Sequence, residues 1–114
     1  VGVASAYEVP RNATSVLWYV LAVAVDHAWR RRGIADALMA DLLHAAAHHP
    51  NLDAVYLHVA PANEYALRLY RKLGFSEVTD LASAFDASLR DELTSHAPND
   101  ILFRYAPPRP PPII

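Results

Sequence analysis

The stretch RRRGIA at Arg30–Ala35 decides the fold, because it separates an apolar segment from a long amphipathic one. Before it, Ser15–Val25 is rich in β-branched and aromatic residues without strict alternation, which predicts a central strand buried on both faces. After it, apolar residues recur every three or four positions from Ile34 to Ala46, which predicts an amphipathic helix. A buried strand that passes through a short loop into a helix indicates an α/β or mixed-sheet fold.

The same loop is a candidate anion site. The first backbone N–H groups of a helix have no internal partner, and with the helix dipole they form a cradle suited to a pyrophosphate. A glycine lets the backbone approach the phosphates closely, a small residue beyond it leaves room, and arginines add positive charge. The residues predicted to bind are Arg30, Arg31, Arg32, Gly33, Ile34 and Ala35. The alternative is a solvated basic loop that caps a helix.

The rest of the chain alternates strands and helices. Asn63 is placed as the N-cap of a second helix that ends at Gly74. Further strands are predicted at Val1–Val9, Ala54–Ala60, Phe75–Val78 and Ile101–Tyr105, and a further helix at Leu81–Leu93. The order β-β-α-β-α-β-(α)-β gives one α/β domain over residues 1–106. The proline-rich tail, residues 107–114, is predicted to be extended and frayed.

Composition limits the possible functions. The 114 residues suffice for one domain, and 54% are hydrophobic. The net charge of −2 argues against a nucleic-acid-binding protein, and the absence of cysteine excludes disulfides, thiolate metal sites and a cysteine nucleophile. The longest apolar run, Val16–Val25, has ten residues, about half of a membrane span. The chain begins at Val1 inside a predicted strand, so we expect a domain that is incomplete at its N-terminus.

Two motifs resemble those of a known superfamily. Val25–Ala35 is similar to the coenzyme A signature (Q/R)-x-x-G-x-(G/A) of the GNAT acetyltransferases, and Pro61–Phe75 is similar to their second hallmark, N-x-x-A-x-x-x-Y-x-x-x-G-F. The resemblance covers Val1 to Tyr105 and implies the GNAT fold, a mixed and largely antiparallel sheet with flanking helices. By comparison, the family's first strand and first two helices are missing. It also implies acetyl-CoA as co-substrate and no metal.

Within that superfamily, Tyr19 and the segment Tyr56–Val59 resemble the N-terminal protein acetyltransferases of NatF and NatE type. The resemblance implies transfer to a protein N-terminal α-amine, with His58 as a mild base near neutral pH. Tyr19 would relay the proton through a shared ordered water. Without the resemblance, the residues alone favour a buried structural histidine at His58 and a strand aromatic at Tyr19. The mechanism would be direct attack in a ternary complex, since no cysteine exists to carry the acyl group.

Other residues take roles by the same resemblance. Tyr70 would protonate or hydrogen-bond the departing thiolate, and its alternative is core packing. Asn63 would contact the pantetheine arm as well as cap its helix. The main chain of Leu21, Ala22 and Val23 would bind the pantetheine amides, with the oxyanion against a backbone N–H near Val23.

Several alternatives remain open. A GNAT enzyme for lysine or small-molecule amines and a truncated CoA-binding module without turnover are both compatible with the motifs. Ala24 stands where these enzymes often have glycine, and Leu81–Leu93 is more helical than the tyrosine-rich hairpin of NatF. Glu8 is an alternative base or a surface carboxylate, and His44, His48 and His49 a metal site or surface residues. We expect a cytoplasmic location, with peripheral membrane association open.

Overall fold

In the part of the chain that the structure describes, five strands form a single sheet in the order β1-β2-β3-β5-β4, and two helices pack on it. The computed structural model describes residues 2–11, 13–25, 33–79 and 99–108. The elements are β1 (Gly2–Pro10), β2 (Val16–Val25), α1 (Ile34–Ala47), β3 (Leu52–Val59), α2 (Glu64–Lys72), β4 (Ser76–Glu77) and β5 (Ile101–Tyr105). Among these elements, β2 and β3 pair in parallel, and the pairs β1–β2, β3–β5 and β4–β5 are antiparallel. The predicted mixed, largely antiparallel sheet with flanking helices is confirmed.

Each face of the sheet carries its own apolar cluster. On the helix-bearing face, α1 contributes Met39, Leu43 and Ala46 to a core that is centred on the fully buried Val55 and Phe103. The opposite face holds a smaller cluster of Val9, Leu17, Tyr19, Ala54, Tyr56 and Leu102, with Tyr7 and Val78 packed against it. Successive residues of a strand point to opposite faces, so β2 and β3 supply both clusters. The prediction of a strand buried on both faces holds for Leu17, Tyr19 and Val20.

The two parallel strands separate halfway along their length. Their pairing runs from Val16 opposite Leu52 to Tyr19 opposite Tyr56 and then stops. Beyond it, β2 pairs with β1 and β3 pairs with β5. Leu21 is skipped in the register with β1, because Ser5 lies opposite Ala22 and Ala6 opposite Val20, so β2 has a bulge at this point. A bulge bends the strand that carries it, and the sheet therefore opens into a fork between β2 and β3.

Most predicted elements are observed with small shifts. Strand β5 has the predicted bounds, β3 begins two residues earlier than predicted, and β4 is shorter. The N-cap prediction is confirmed, since Asn63 Oδ1 accepts a hydrogen bond from the Ala66 N–H at 3.1 Å. The predicted helix at Leu81–Leu93 lies outside the described residues. Pro107, predicted to belong to a frayed tail, is buried, and the tail beyond residue 108 is not described.

No helix in the described ranges is both long enough and apolar enough to cross a membrane.

Candidate active site at the fork between β2 and β3

A tyrosine and a histidine meet where the two strands separate. Tyr19 is the last residue of β2 that pairs with β3, and His58 lies two residues beyond its partner Tyr56. The Tyr19 Oη atom is 2.5 Å from His58 Nδ1, and the ring centroids are 5.6 Å apart. Two residues with a predicted common role are thus in direct contact. The sequence predicted a water shared between them, whereas the structure joins them by a hydrogen bond.

The surroundings of Tyr19 keep its phenol protonated. Burial, followed by the nearby Tyr7 and Asp100, raises the pKa of Tyr19 to about 12. The phenol is therefore neutral at physiological pH, and it donates its O–H to His58 Nδ1 when the His58 ring is in the tautomer that leaves Nδ1 unprotonated. A neutral His58 then carries its own proton on Nε2. In that tautomer, the hydrogen bond provides the geometry that a proton transfer from Tyr19 to His58 would need.

Sequence reasoning missed two neighbours of this pair. Tyr7, directly opposite Tyr19 on β1, has its ring 5.6 Å from the Tyr19 ring. Asp100 immediately precedes β5 and contributes to the raised pKa of Tyr19. The alternation of β1 is too loose to place Tyr7 on this face, and the sequence has no signal for the strand order that brings β1 and β5 to either side of the pair.

The N-terminus of α1 has the geometry of an anion site. Gly33 is its N-cap with φ 73°, a left-handed conformation that favours glycine, and no side chain caps the helix. The Ala37 N–H bonds to the Gly33 carbonyl, so the first intrahelical bond leaves the N–H groups of Ile34, Ala35 and Asp36 outside the helical ladder. A methyl group added at Gly33 would meet no described atom within 4 Å. The predicted ligands Arg30, Arg31 and Arg32 lie outside the described residues.

The main chain of Leu21, Ala22 and Val23 lies beyond the end of the parallel pairing. On one side this segment bonds to β1, and the bulge at Leu21 interrupts that register. The other edge faces the fork. Within the described pairing, no strand covers that edge, so the peptide groups there are placed to bind an extended ligand, as an added strand would.

Two predicted residues lie on or before α2. Asn63 caps the helix and is exposed. Tyr70 is half-buried against the core, with its ring 5.6 Å from the Phe75 ring, and burial and then Tyr65 raise its pKa. The packing alternative for Tyr70 is therefore observed, and the raised pKa keeps it a hydrogen-bond donor. The most buried residue of α2 is Leu69, which the sequence did not single out.

Glu8 does not face the fork, and the hypothesis that it serves as a base is wrong. Its Oε1 accepts hydrogen bonds from Trp18 Nε1 at 3.1 Å and lies 2.9 Å from His49 Nε2. Trp18 packs against the helix-side core, whereas Tyr19 belongs to the opposite cluster. Neighbouring residues of a strand point to opposite faces, and Glu8 accordingly lies across the sheet from His58.

The three histidines at the C-terminal end of α1 do not share one site. His49 lies against Glu8, whereas His48 Nδ1 is 2.9 Å from the His44 carbonyl oxygen, with the two rings 4.5 Å apart. Among the residues that the structure describes, no three histidine, aspartate or glutamate side chains converge on a common point.

Known proteins resemble this chain in part of its sequence and in its fold. A family model described as "Acetyltransferase (GNAT) family" matches residues 1–75. An N-alpha-acetyltransferase of Sulfurisphaera tokodaii is 42% identical over 60 residues, 53% of this chain and 36% of that protein. An L-amino acid N-acetyltransferase of Escherichia coli is 34% identical over 53 residues, 46% of this chain and 33% of that protein. The chain thus spans about a third of these relatives' length.

A solved structure extends the match to nearly the whole chain. The structure of Arabidopsis thaliana NAA60 in complex with a bisubstrate analogue is 26% identical, covers 93% of this chain and 64% of that protein, and has a TM-score of 0.69. The resemblance predicted from the two motifs is confirmed. The family model covers well over half of the residues, and the fold agrees, so this chain belongs to the GNAT acetyltransferase family.

Proposed function

We propose that the protein transfers the acetyl group of acetyl-CoA to the α-amine of a protein or peptide N-terminus. The observation that carries the proposal is the hydrogen bond between Tyr19 and His58 at the mouth of the fork. Acetyl transfer to an amine needs a group that accepts the amine's proton, and this pair is a base held at a defined place. Similarity to an N-alpha-acetyltransferase and to a structure with a bisubstrate analogue supports the choice of acceptor.

The proton path follows from the state of the pair. An N-terminal α-amine has a pKa of about 7.7–8.0, so a mild base suffices to make it a nucleophile. Tyr19 Oη accepts a proton from the amine, directly or through one water, while its own proton passes to His58 Nδ1. The product is a neutral phenol and an imidazolium. No phenolate forms, which is consistent with a Tyr19 pKa of about 12.

The residues of the fork and of α1 fit acetyl-CoA, which supplies the activated acetyl group as a thioester. The pyrophosphate would meet the N–H groups of Ile34, Ala35 and Asp36 beyond Gly33, where the helix end is open. The pantetheine amides would bind the main chain of Leu21–Val23 along the edge of β2, and Asn63 would contact the same arm. A backbone N–H near Val23 would hold the negative charge that develops on the acetyl oxygen.

Tyr70 would donate a hydrogen bond to the departing sulfur. Its pKa is raised by burial, so the phenol is a weaker acid than usual. It therefore stabilises the thiolate as a donor without giving up its proton. Because the 114 residues contain no cysteine to carry an acyl group, transfer would be direct, with both substrates bound together.

A second acceptor class is supported by one comparison. The E. coli relative acts, by its name, on L-amino acids, and it matches about the same share of this chain as the N-alpha-acetyltransferase does. A small-molecule amine is therefore the alternative acceptor.

Mass spectrometry with a mixed acceptor panel tests the proposal. The panel contains peptides with free N-termini, peptides with blocked N-termini and internal lysines, and free L-amino acids. Acetylation confined to free peptide N-termini, and lost in His58→Ala, is the expected result. Acetylation of lysines or amino acids alone moves the protein to the alternative acceptor class. Binding of CoA without any product identifies a cofactor-binding module and contradicts the proposal.

A further inference from the structure

We propose that Asp100 recognises the acceptor as a cation: its carboxylate holds the incoming ammonium group beside Tyr19 and His58 and disfavours acceptors with acidic residues near that amine. The inference rests on the proposed function and adds an acceptor-selecting residue to it. It also predicts a charge preference among N-termini.

The strand register places Asp100 at the mouth of the fork. Strand β5 runs antiparallel to β3, with Leu102 opposite His58 and Ile101 opposite Val59. Asp100 immediately precedes β5, and this register brings it near Ala60, which follows the last residue of β3 at the open end of the fork. Leu102, two residues later, belongs to the apolar cluster that contains Tyr19.

Three polar side chains lie next to one another across β1, β2 and β3, and Asp100 lies two residues before Leu102, which is opposite His58. Tyr7 on β1 lies opposite Tyr19 on β2, His58 on β3 contacts Tyr19, and Asp100 stands at the start of β5. These strands are consecutive in the sheet. The charge of Asp100 acts on Tyr19, because it contributes to the raised pKa of that phenol.

The carboxylate is available to a ligand. Asp100 is exposed, and the ion pairs among the described residues join other partners, Arg11 with Asp53, His49 with Glu8 and Lys72 with Asp36. The first cation along β5 is Arg104, four residues away and about 13 Å along an extended strand. Among Tyr7, Tyr19, His58 and Asp100, Asp100 is the one carboxylate.

A negative charge at this place suits the proposed proton transfer. Below its pKa of about 7.7–8.0 the acceptor arrives as an ammonium ion, and after transfer the same charge resides on the imidazolium of His58. The net charge beside Asp100 is +1 before and after the proton moves. The carboxylate therefore attracts the acceptor without opposing its deprotonation, and its contribution falls on acceptor binding more than on the chemical step.

The charge of Asp100 also acts on acceptor residues near the reacting amine. A second carboxylate close to the reacting amine, for example a Glu side chain at the second position, is repelled by Asp100, whereas a lysine there is attracted. In a solvent-exposed mouth these effects are screened by water and salt. We expect about a three- to tenfold range in kcat/KM between the two peptide types at low ionic strength.

The test compares Asp100→Asn with Asp41→Asn, an equal change at an exposed position of α1. The acceptors are peptides that differ only in Ala, Glu or Lys at the second position, at about 20 and 300 mM salt. We expect Asp100→Asn to raise the peptide KM about three- to tenfold at low salt, with kcat within about twofold, and to reduce the Lys-over-Glu preference. Asp41→Asn and Asp100→Glu should each retain the native peptide KM and the native Lys-over-Glu preference. An unchanged KM and preference in Asp100→Asn overturns the inference and leaves the proposed function intact.

A binding measurement separates the two proposals if no turnover is found. Calorimetric titration of the same peptides into the chain saturated with CoA reports acceptor affinity without chemistry. If no free N-terminus is acetylated, the proposed function is wrong. A lower affinity for the Lys peptide in Asp100→Asn then still supports cation recognition by Asp100, and an equal affinity overturns it.

Discussion

Tyr19 Oη on β2 lies 2.5 Å from His58 Nδ1 on β3, so a side-chain hydrogen bond joins two strands just beyond the end of their backbone pairing. Elsewhere in the sheet, neighbouring strands are held by their main chains. At the fork, the main-chain groups of β2 beyond Tyr19 are left to face the opening, and the tyrosine and histidine span it. A polar pair at such a place bridges the strands and stands beside any ligand that enters between them.

Removing either partner should reduce turnover more than stability. We expect Tyr19→Phe and His58→Ala each to lower kcat by about 10²- to 10⁴-fold, because each interrupts the proton path. The KM for acetyl-CoA should change little, since neither side chain belongs to the predicted CoA-binding set. Steady-state kinetics with both substrates varied gives the two parameters.

His58→Gln is the matched control for this pair. Its side-chain oxygen still accepts a hydrogen bond from Tyr19 but takes no proton at neutral pH. If His58→Gln has near-normal thermal stability and a strongly reduced kcat, His58 is needed to accept a proton and not only to hold the hydrogen bond between the strands. A His58→Gln enzyme with full activity would show that the histidine only holds Tyr19 in place.

The raised pKa of Tyr19 predicts a stability change in alkaline solution. In the folded chain the pKa is about 12, against an ordinary value of 10.0, so the fold disfavours the phenolate. The stabilisation linked to the neutral phenol is fully present below pH 10 and is lost as the pH rises through 12. Chemical denaturation of the native chain and Tyr19→Phe from pH 8 to 12 measures it. The stability of the native chain should fall relative to Tyr19→Phe above pH 10, and parallel curves would contradict the shift.

The sequence predicts most of the elements of this fold but not how they come together at the site. Short-range signals such as the Asn63 cap and the amphipathic spacing of α1 depend on neighbours three or four residues away, and both were found. Tyr19 and His58 are 39 residues apart, and nothing local in either strand predicts their contact. A family resemblance linked them, whereas strand order and register alone brought Tyr7 and Asp100 beside them.

Glu8 shows why the strand face is the less predictable quantity. A shift of one residue in strand register moves every side chain to the other face. Here Glu8 pairs with Trp18, and both lie on the helix-bearing face of the sheet, where they contact His49, just beyond the end of α1. The start of β1 carries too weak an alternation to decide between the two faces. The contact with His49, 41 residues away, is not visible in the sequence.

Two glycines with positive φ should respond differently to alanine. Gly33 has open space around its Cα, so Gly33→Ala carries only the backbone cost of a left-handed residue, about 1–2 kcal/mol. At Gly74, with φ 105°, a Cβ would stand 3.2 Å from Tyr105 Cε2 and crowd a ring that packs on Phe75. Gly74→Ala should therefore lower the free energy of unfolding by more than Gly33→Ala does.

For CoA binding, the order of the two glycine variants should be reversed, with the larger effect in Gly33→Ala. The added methyl group at Gly33 stands where the pyrophosphate is proposed to approach, whereas Gly74 follows the C-terminus of α2. We expect a several-fold higher Kd for CoA in Gly33→Ala and little change in Gly74→Ala, measured by calorimetry below both melting temperatures. Equal CoA affinities in the two variants would place the pyrophosphate elsewhere.

An ion pair between the helices bears on the same anion site. Asp36, in the first turn of α1, accepts a hydrogen bond from Lys72 Nζ at 2.8 Å, and this contact raises the pKa of Lys72. An unpaired carboxylate in that turn would oppose a phosphate bound at the same helix end. Lys72 offsets the charge of Asp36, and its exposure makes the effect depend on salt.

Lys72→Met should therefore weaken CoA binding without touching the cofactor. We expect about a two- to fivefold higher Kd at low ionic strength, and no difference near 0.5 M salt, where the Debye length is only a few ångströms. Lys72→Arg should retain normal affinity, and the double variant Asp36→Asn/Lys72→Met should recover it, since the opposing charge is then absent. If Lys72→Met weakens binding and the double variant fails to recover, Lys72 acts on the phosphates itself and not through Asp36.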